Sequence, residues 1–303
     1  MSKIVGIGAN VCDTLLAIKS FPTEDTKTKA TSATQSGGGP CATGLVAASK
    51  LGEECAYIGT LTDDSAGAFL KADLERYGVL TEFTDVKSGY TSFTSTILLS
   101  EESSSRTCVF YRGDVPGTQI DLSKRKAIEN ATVLMVDGND LDAAIEGALV
   151  ARNSGTKVLY DAGGLYDGVE KLLELSDILI PSEEFALGLT GATDVDEAAK
   201  NLYEKFSPEV VVVTCGKNGG VMYDGKKAEK YPAFLVDAVD TNGSGDVFHG
   251  AFAFSVVKGY NYKKCCMFSS AVSALKCTKI GARVAVPTFE ETIEFLKERG
   301  IDV

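Results

Sequence analysis

Six short apolar runs, set apart by stretches of helical periodicity, constrain the fold of this chain more than any other feature. They are Ile4-Val5-Gly6-Ile7, Ala56-Tyr57-Ile58, Val133-Leu134-Met135-Val136, Val158-Leu159-Tyr160, Ile178-Leu179-Ile180 and Val210-Val211-Val212-Val213. Each is rich in β-branched residues and lacks polar alternation, as a parallel strand covered on both faces does. Between them, Asp64 to Tyr77 carries Ala66, Phe69, Leu70, Leu74 and Tyr77 on one helical face, with Gly78 placed to cap its C-terminus. Asp142 to Asn153 and Glu197 to Phe206 repeat that pattern. Strand and helix in alternation predict an α/β fold: a doubly wound, mostly parallel sheet flanked by helices, with ligands beyond the carboxyl ends of the strands. With 303 residues, 44% of them hydrophobic, residues 1–303 suffice for one large domain.

Two regions break this rhythm, about residues 12–35 and 90–112. Both are rich in Thr, Ser and Val and lack helical periodicity, and Thr91 to Leu98 largely alternates polar and apolar residues. The expectation is a small β-sheet protruding from the main body, with that segment as a half-exposed antiparallel strand. Near the ligand edge such a sheet is a natural lid, and its outer face could hold a homodimer together.

The formal net charge of -12 argues against non-specific nucleic-acid binding and against an anionic membrane surface. No apolar run is long enough to span a membrane, and the chain enters a strand-like run at once, so a cytoplasmic location is expected. The eight cysteines are scattered without a CxxC pair, and His249 is the only histidine. Zinc therefore has little to bind, buried thiols in a reducing compartment are expected, and a Ser-His-Asp arrangement is improbable.

The chemistry concentrates at Asp240-Thr241-Asn242-Gly243-Ser244-Gly245-Asp246, which runs into an apolar helical pattern marked by Val247, Phe248, Ala251 and Phe254. Two glycines let backbone N–H groups approach a ligand, and the positive end of the following helix points at the same spot, which makes an anion site. Asp246 stands beside that anion, where a carboxylate can take a proton from an attacking hydroxyl. A second glycine cluster, Gly37-Gly38-Gly39-Pro40-Cys41-Ala42-Thr43, precedes a helix that Pro40 opens and Gly52 closes. Taken alone, it describes a tight strand-to-helix turn slightly better than a ligand site. Gly6-Ile7-Gly8-Ala9-Asn10-Val11 lacks the last glycine of a dinucleotide fingerprint, and Gly216-Lys217-Asn218 lacks the Ser/Thr and the upstream glycine of a P-loop.

These two glycine segments, in this order and separation, resemble the ribokinase-like (PfkB) carbohydrate kinases. The first is similar to that family's Gly-Gly sugar-binding motif and the second to its Asp-Thr-x-Gly-x-Gly-Asp signature. The likeness extends to Pro181-Ser182-Glu183-Glu184, Val213 to Gly220 and Ala274 to Arg283. It implies ATP as phosphoryl donor, Mg²⁺, and in some relatives a monovalent cation at the loop around Gly281 and Arg283. By the same resemblance Asp246 would be the general base, with the N–H groups of Gly243, Ser244 and Gly245 as the anion hole. Asp13, Gly38 and Gly39 would line the sugar pocket, whereas Asp13 alone reads equally as a solvated turn residue. Thr214, Gly216 and Gly219 would border the nucleotide, with Ser270 and Cys277 flanking the adenine.

The chain departs from the family pattern in three places. Thr43 stands where an asparagine usually contacts sugar, and Ser244 where alanine is frequent in the anion hole. The Asn-x-x-Glu that orients Mg²⁺ and phosphates reads Ser182-Glu183-Glu184-Phe185, leaving Glu183 or Glu184 as the substitute metal residue. Lys27, Lys29, Arg106 and Arg112 lie in or beside the lid segments, where one or two can grip an anionic substituent such as a carboxylate, phosphate or sulfonate, or simply be solvated. The Gly-Gly-Gly-Pro start, Asp246-Val247-Phe248-His249-Gly250 and the Ala-Leu-Lys-Cys-Thr run look most like the fructokinase and sulfofructose-kinase branch. The expected substrate is a ketohexose or a charged derivative. The alternatives are a nucleoside or pyridoxal-like vitamin kinase on the same scaffold, or a sugar sensor without catalysis.

Overall fold

The structure is a computed structural model and describes residues 2–103, 105–165 and 167–302. In chain order the strands are β1 (Ile4–Ile7), β2 (Val11–Ile18), β3 (Ser32–Gly38), β4 (Cys55–Thr62), β5 (Thr84–Lys87), β6 (Thr94–Ser100) and β7 (Arg106–Tyr111). They continue with β8 (Val133–Val136), β9 (Lys157–Ala162), β10 (Ile178–Pro181), β11 (Val210–Thr214), β12 (Gly220–Tyr223) and β13 (Ala228–Tyr231). The helices are α1 (Pro40–Lys50), α2 (Ser65–Arg76), α3 (Leu122–Glu129), α4 (Leu141–Ser154) and α5 (Glu170–Leu175). After them come α6 (Glu183–Thr190), α7 (Val195–Phe206), α8 (Ser244–Val257), α9 (Tyr262–Cys277) and α10 (Phe289–Lys297).

Nine strands form one sheet in the order β13-β12-β11-β10-β9-β8-β1-β4-β5. All neighbours from β11 to β5 are parallel, and only β12 and β13 add antiparallel pairs at one edge. The six apolar runs all lie within this sheet, because a parallel strand with helices on both faces has no polar side to show. Side chains alternate between two cores. Ile4 packs beneath α1, α2, α8, α9 and α10, whereas Val5 and Ile7 pack beneath α3, α4, α5, α6 and α7. The helix signals are borne out: Asp64 caps α2 by accepting from Gly67 N at 2.7 Å, Pro40 opens α1, and Gly52 (φ 102) ends it.

The remaining four strands form a second sheet, β3-β2-β6-β7. Both irregular regions enter it, as expected. The Thr91 to Leu98 segment differs in detail: the strand begins at Thr94, and it runs parallel to β2 as well as antiparallel to β7. Alternation sends Asp13, Ser95, Cys108 and Phe110 to one face, above the C-terminal ends of the main strands. Val109 (65% exposed) and Tyr111 (58%) face outward.

Two glycines bring the two sequence motifs together. Helices α1 and α8 cross so closely that a Cβ on Gly250 would overlap the Gly44 carbonyl, and one on Gly44 would lie 3.3 Å from the Asp246 carbonyl oxygen. No side chain fits between these backbones, so the N-termini of both helices, each preceded by a glycine cluster, open side by side.

Candidate active site

The turn before α8 separates two cavities. Gly243 is left-handed (φ 72) and caps the 14-residue helix, and a Cβ on it would sit 2.7 Å from the Ala282 Cβ. Asp240 fixes the bend from below: its Oδ1 accepts from Asn242 N and its Oδ2 from Gly281 N, both at 2.8 Å. A Cβ on Gly245 would meet no protein atom within 4 Å, so the space above Gly245 belongs to whatever binds there. Ser244 N donates to Thr241 O at 3.3 Å within the turn, and the positive end of the α8 dipole makes that space attractive to an anion.

On one side lies a cavity of about 250 Å³ lined by Asn242, Gly243, Asp246, the lid face and the first glycine cluster. Asp13 is buried (7% exposed) and its Oδ1 accepts from Ser95 Oγ at 2.6 Å. Burial raises its pKa, against the Ser95 hydrogen bond and the Arg283 charge. A Cβ on Gly38 would overlap Asp13 Oδ2, and one on Gly39 (φ 91) would sit 2.8 Å from the Ala9 carbonyl carbon, so both glycines let the lid carboxylate lie against backbone. Thr43 forms part of the floor, and Arg112 spans the rim with its guanidinium 5.9 Å from the Phe93 ring and Nη1 3.5 Å from Asn139 O.

On the other side is a larger cavity, about 440 Å³, bordered by Thr241, Ser244 and Gly245 of the turn. Its walls are mainly apolar, with Tyr231 stacked on Phe248 (5.8 Å between centroids), Phe234, Leu235 and Ala274. Thr214, Gly216 and Gly219 edge it from β11 and the turn that follows, and Ser270 and Cys277 edge it from α9. Apolar walls beside a cluster of amides suit a flat heterocycle joined to phosphates.

Beneath Asp246 the site is acidic. Asp137 ends the β8 run and accepts from Ala9 N, Cys41 N and Asn139 N at 2.8, 3.0 and 2.9 Å, locking the start of α1 to the β1–β2 bend. Asp161 of β9 is buried nearby, and burial together with Asp137 holds its pKa well above the usual range. His249 directs Nδ1 to Gly245 O (2.6 Å) and Nε2 to Ile180 O (3.0 Å). Its Nδ1 is also 3.2 Å from Asp161 Oδ2, but no hydrogen bond points at that oxygen. Burial first, then the Asp161 charge, pushes Asp246 up to about 7. A base must be ionised to accept a proton, so kcat/KM is expected to rise with pH through an apparent value near 7 and then level off. Initial rates from pH 5.5 to 9 check this, and a profile flat across neutrality would contradict it.

The pfkB family carbohydrate kinase model matches residues 1–289. The chain belongs to the PfkB carbohydrate kinases. It is 27% identical over 268 residues to the ribokinase of Haemophilus influenzae, covering 86% of this chain and 87% of that one. The 5-dehydro-2-deoxygluconokinase of Clostridium perfringens is also 27% identical, over 86% of this chain and 84% of its own. Among solved structures, one from Agrobacterium tumefaciens, provisionally named a ribokinase, superposes with a TM-score of 0.92 at 26% identity over 98% of both chains. The fold is therefore ribokinase-like, and the protein is a phosphotransferase with an alcohol group as acceptor.

In this PfkB kinase Asp13, Gly38, Gly39, Thr43, Arg112, Gly243 and Asp246 line the smaller cavity, and Thr214, Gly216, Gly219, Ser244, Gly245, Ser270 and Cys277 line the larger. Arg106 does not join Arg112 at the smaller one. It lines the larger cavity and donates from Nη1 to Thr241 Oγ1 at 3.3 Å, because the lid strand starts directly above the turn. Glu183 and Glu184 are exposed in the first turn of α6, which Ser182 caps, and Phe185 is buried where the family has glutamate. Among the described residues no three His, Cys, Asp or Glu side chains are grouped to hold a metal.

Sequence reasoning overlooked Ser95, Asp137, Asp161 and Lys276. An acid closing an apolar strand, as in Val136-Asp137 and Tyr160-Asp161, was an available signal, because the carboxyl ends of parallel strands point at the site.

Proposed function

We propose that this PfkB kinase transfers the γ-phosphoryl group of ATP to a hydroxyl of a small carbohydrate, a ketohexose or a negatively charged derivative. One observation carries the reading: a single glycine turn borders both cavities, with Ser244 and Gly245 lining the larger and Gly243 and Asp246 the smaller. Asp13, with Asn139 and Asn242, orients the sugar hydroxyls. Asp246 takes the proton of the attacking hydroxyl while the amides of Gly243, Ser244 and Gly245 hold the phosphoryl oxygens as they move between donor and acceptor. When bound, Mg²⁺ would neutralise phosphate charge, with Glu183 or Glu184 as the protein candidates that the resemblance offers.

The choice of a charged ketohexose draws on Arg112. A side cavity of about 270 Å³, lined by Thr60, Thr118, Asn139 and Asp140, shares Ala9, Phe93, Arg112 and Asn139 with the smaller cavity. A substituent on the sugar can enter it past the guanidinium. ADP release measured across fructose, sugar phosphates and sulfonates, ribose, nucleosides and pyridoxal tests the assignment. A kcat/KM tenfold higher for a nucleoside or for pyridoxal than for any sugar would overturn it.

Arg106 supplies positive charge to the donor phosphates in an acidic site. Arg106→Ala is expected to raise KM for ATP about tenfold and leave KM for sugar within about twofold, because one charge-assisted contact contributes roughly 1.5–3 kcal/mol at most. Initial rates at varied ATP and varied sugar separate the two. We also read residues 1–303 as one cytoplasmic kinase unit that pairs through the outer face of β7. Tyr111→Glu should then shift the protein from dimer to monomer in light scattering.

A further inference from the structure

Lys276 is the most deeply buried cation near the turn. Its side chain is 0% exposed, yet it sits in the last turn of α9 beside the nucleotide cavity. Nζ donates to Asp240 O at 2.7 Å and lies 3.9 Å from Asp240 Oδ2. That same Oδ2 accepts from Gly281 N, and Oδ1 accepts from Asn242 N. The residue next to it completes the clamp, since Cys277 O accepts from Val239 N (2.7 Å) and Asp240 N (3.1 Å). The ammonium therefore lies between the start of the anion turn and the 279–284 loop, held by a carbonyl and a carboxylate of one aspartate.

A carbonyl and a carboxylate oxygen converging between two loops are the ligands of an alkali cation, and here a compact ammonium already faces both. The residues present do not fit a monovalent metal ion at this bend. We propose that Lys276 is the built-in cation of the anion turn, so that phosphoryl transfer by this kinase needs no monovalent metal ion there. Lys276 is a positioning residue: it touches Asp240, and Asp240 sets where the amides of Gly243 to Gly245 point. The inference rests on the kinase reading of that turn, but ion occupancy can be measured without turnover.

Sugar-dependent ADP release is measured in KCl, NH₄Cl, NaCl, LiCl and tetramethylammonium chloride at equal ionic strength. The wild type is expected to vary by less than about twofold across the series, and a tenfold stimulation by K⁺ would overturn the proposal. Lys276→Ser opens the seat. Its rate in tetramethylammonium should fall at least a hundredfold and recover at least tenfold in K⁺ or NH₄⁺. Retention of full activity in tetramethylammonium, or a loss that neither ion relieves while Lys276→Met stays folded and active, would overturn it. Crystals soaked in thallium(I) give a reading independent of activity and of that variant's folding. An anomalous peak against Asp240 O is expected in Lys276→Ser and absent in the wild type, and a peak there in the wild type refutes the idea. Absence of ADP release with every acceptor would fault the kinase reading and leave the thallium result to stand by itself.

Discussion

Replacing Asp246 with asparagine is expected to lower kcat by about 10²–10⁴-fold, the range that a positioned general base contributes, while sugar binding persists. The amide keeps the shape of the carboxyl and cannot accept the proton. Sugar affinity by calorimetry beside ADP release separates this outcome from a sensor. A variant that turns over as the wild type does would remove Asp246 from the reaction. The same substitution should make the protein more stable in alkali. In the unfolded chain the carboxyl ionises near its ordinary value of about 4, whereas in the fold burial and Asp161 push it up to about 7. Its contribution to stability is therefore present below about 4, lost as pH rises toward 7, and unfavourable above. At pH 8 the asparagine variant should melt higher than the wild type, and at pH 4 the gap should close. Activity and stability then oppose each other at one residue.

Removing Arg283 should cost the fold more than any other single change at the site. Its guanidinium is buried and reaches four elements at once. Nη1 pairs with Asp73 Oδ2 of α2 at 2.6 Å, Nη2 donates to Asn10 Oδ1 (2.9 Å) and Gly38 O (2.5 Å), and Nε is 3.4 Å from Thr43 Oγ1. Arg283→Met leaves the buried Asp73 carboxylate with only the exposed Arg76 (Nη2 to Oδ1, 2.7 Å) as counter-charge, and is expected to destabilise by about 3–5 kcal/mol, seen as a Tm lower by roughly 5–15 °C. Adding Asp73→Leu should restore part of that loss, since no carboxylate is then buried without Arg283. It should not restore sugar affinity, because Gly38 and Asn10 remain unsupported. Recovery of both properties in the double variant would show that Arg283 serves only the core.

Much of the framework was legible because it follows from local rules. Ile4 to Ile7 and Val210 to Val213 must be covered on both faces, Asp64 and Pro40 mark helix starts, and the alternation of elements leaves few topologies. The turn from Asp240 to Asp246 showed its chemistry in seven consecutive residues. Arg106 lies on the lid as its sequence position implied, but sequence did not say which of two cavities the start of β7 overhangs. Glu183 and Glu184 stand as substitutes beside a register position that Phe185 occupies, and sequence does not reveal that the first turn of α6 faces solvent while Phe185 fills the core. Lys276 carried no role in the sequence beyond the likeness of Ala274 to Arg283, since only the fold brings Asp240 over the end of α9.

What the chain fixed by itself was which segments become strands and helices and where an anion can be met, for those depend on side-chain period and backbone freedom over a few residues. What tertiary structure alone decided was that two glycine clusters some 200 residues apart in sequence open onto one space. That meeting depends on Gly44 and Gly250 letting two helix backbones touch, and on Asp137 and Arg283 finding partners on helices and loops distant in sequence. Contacts of that kind are set by packing in three dimensions, where distance along the chain no longer counts.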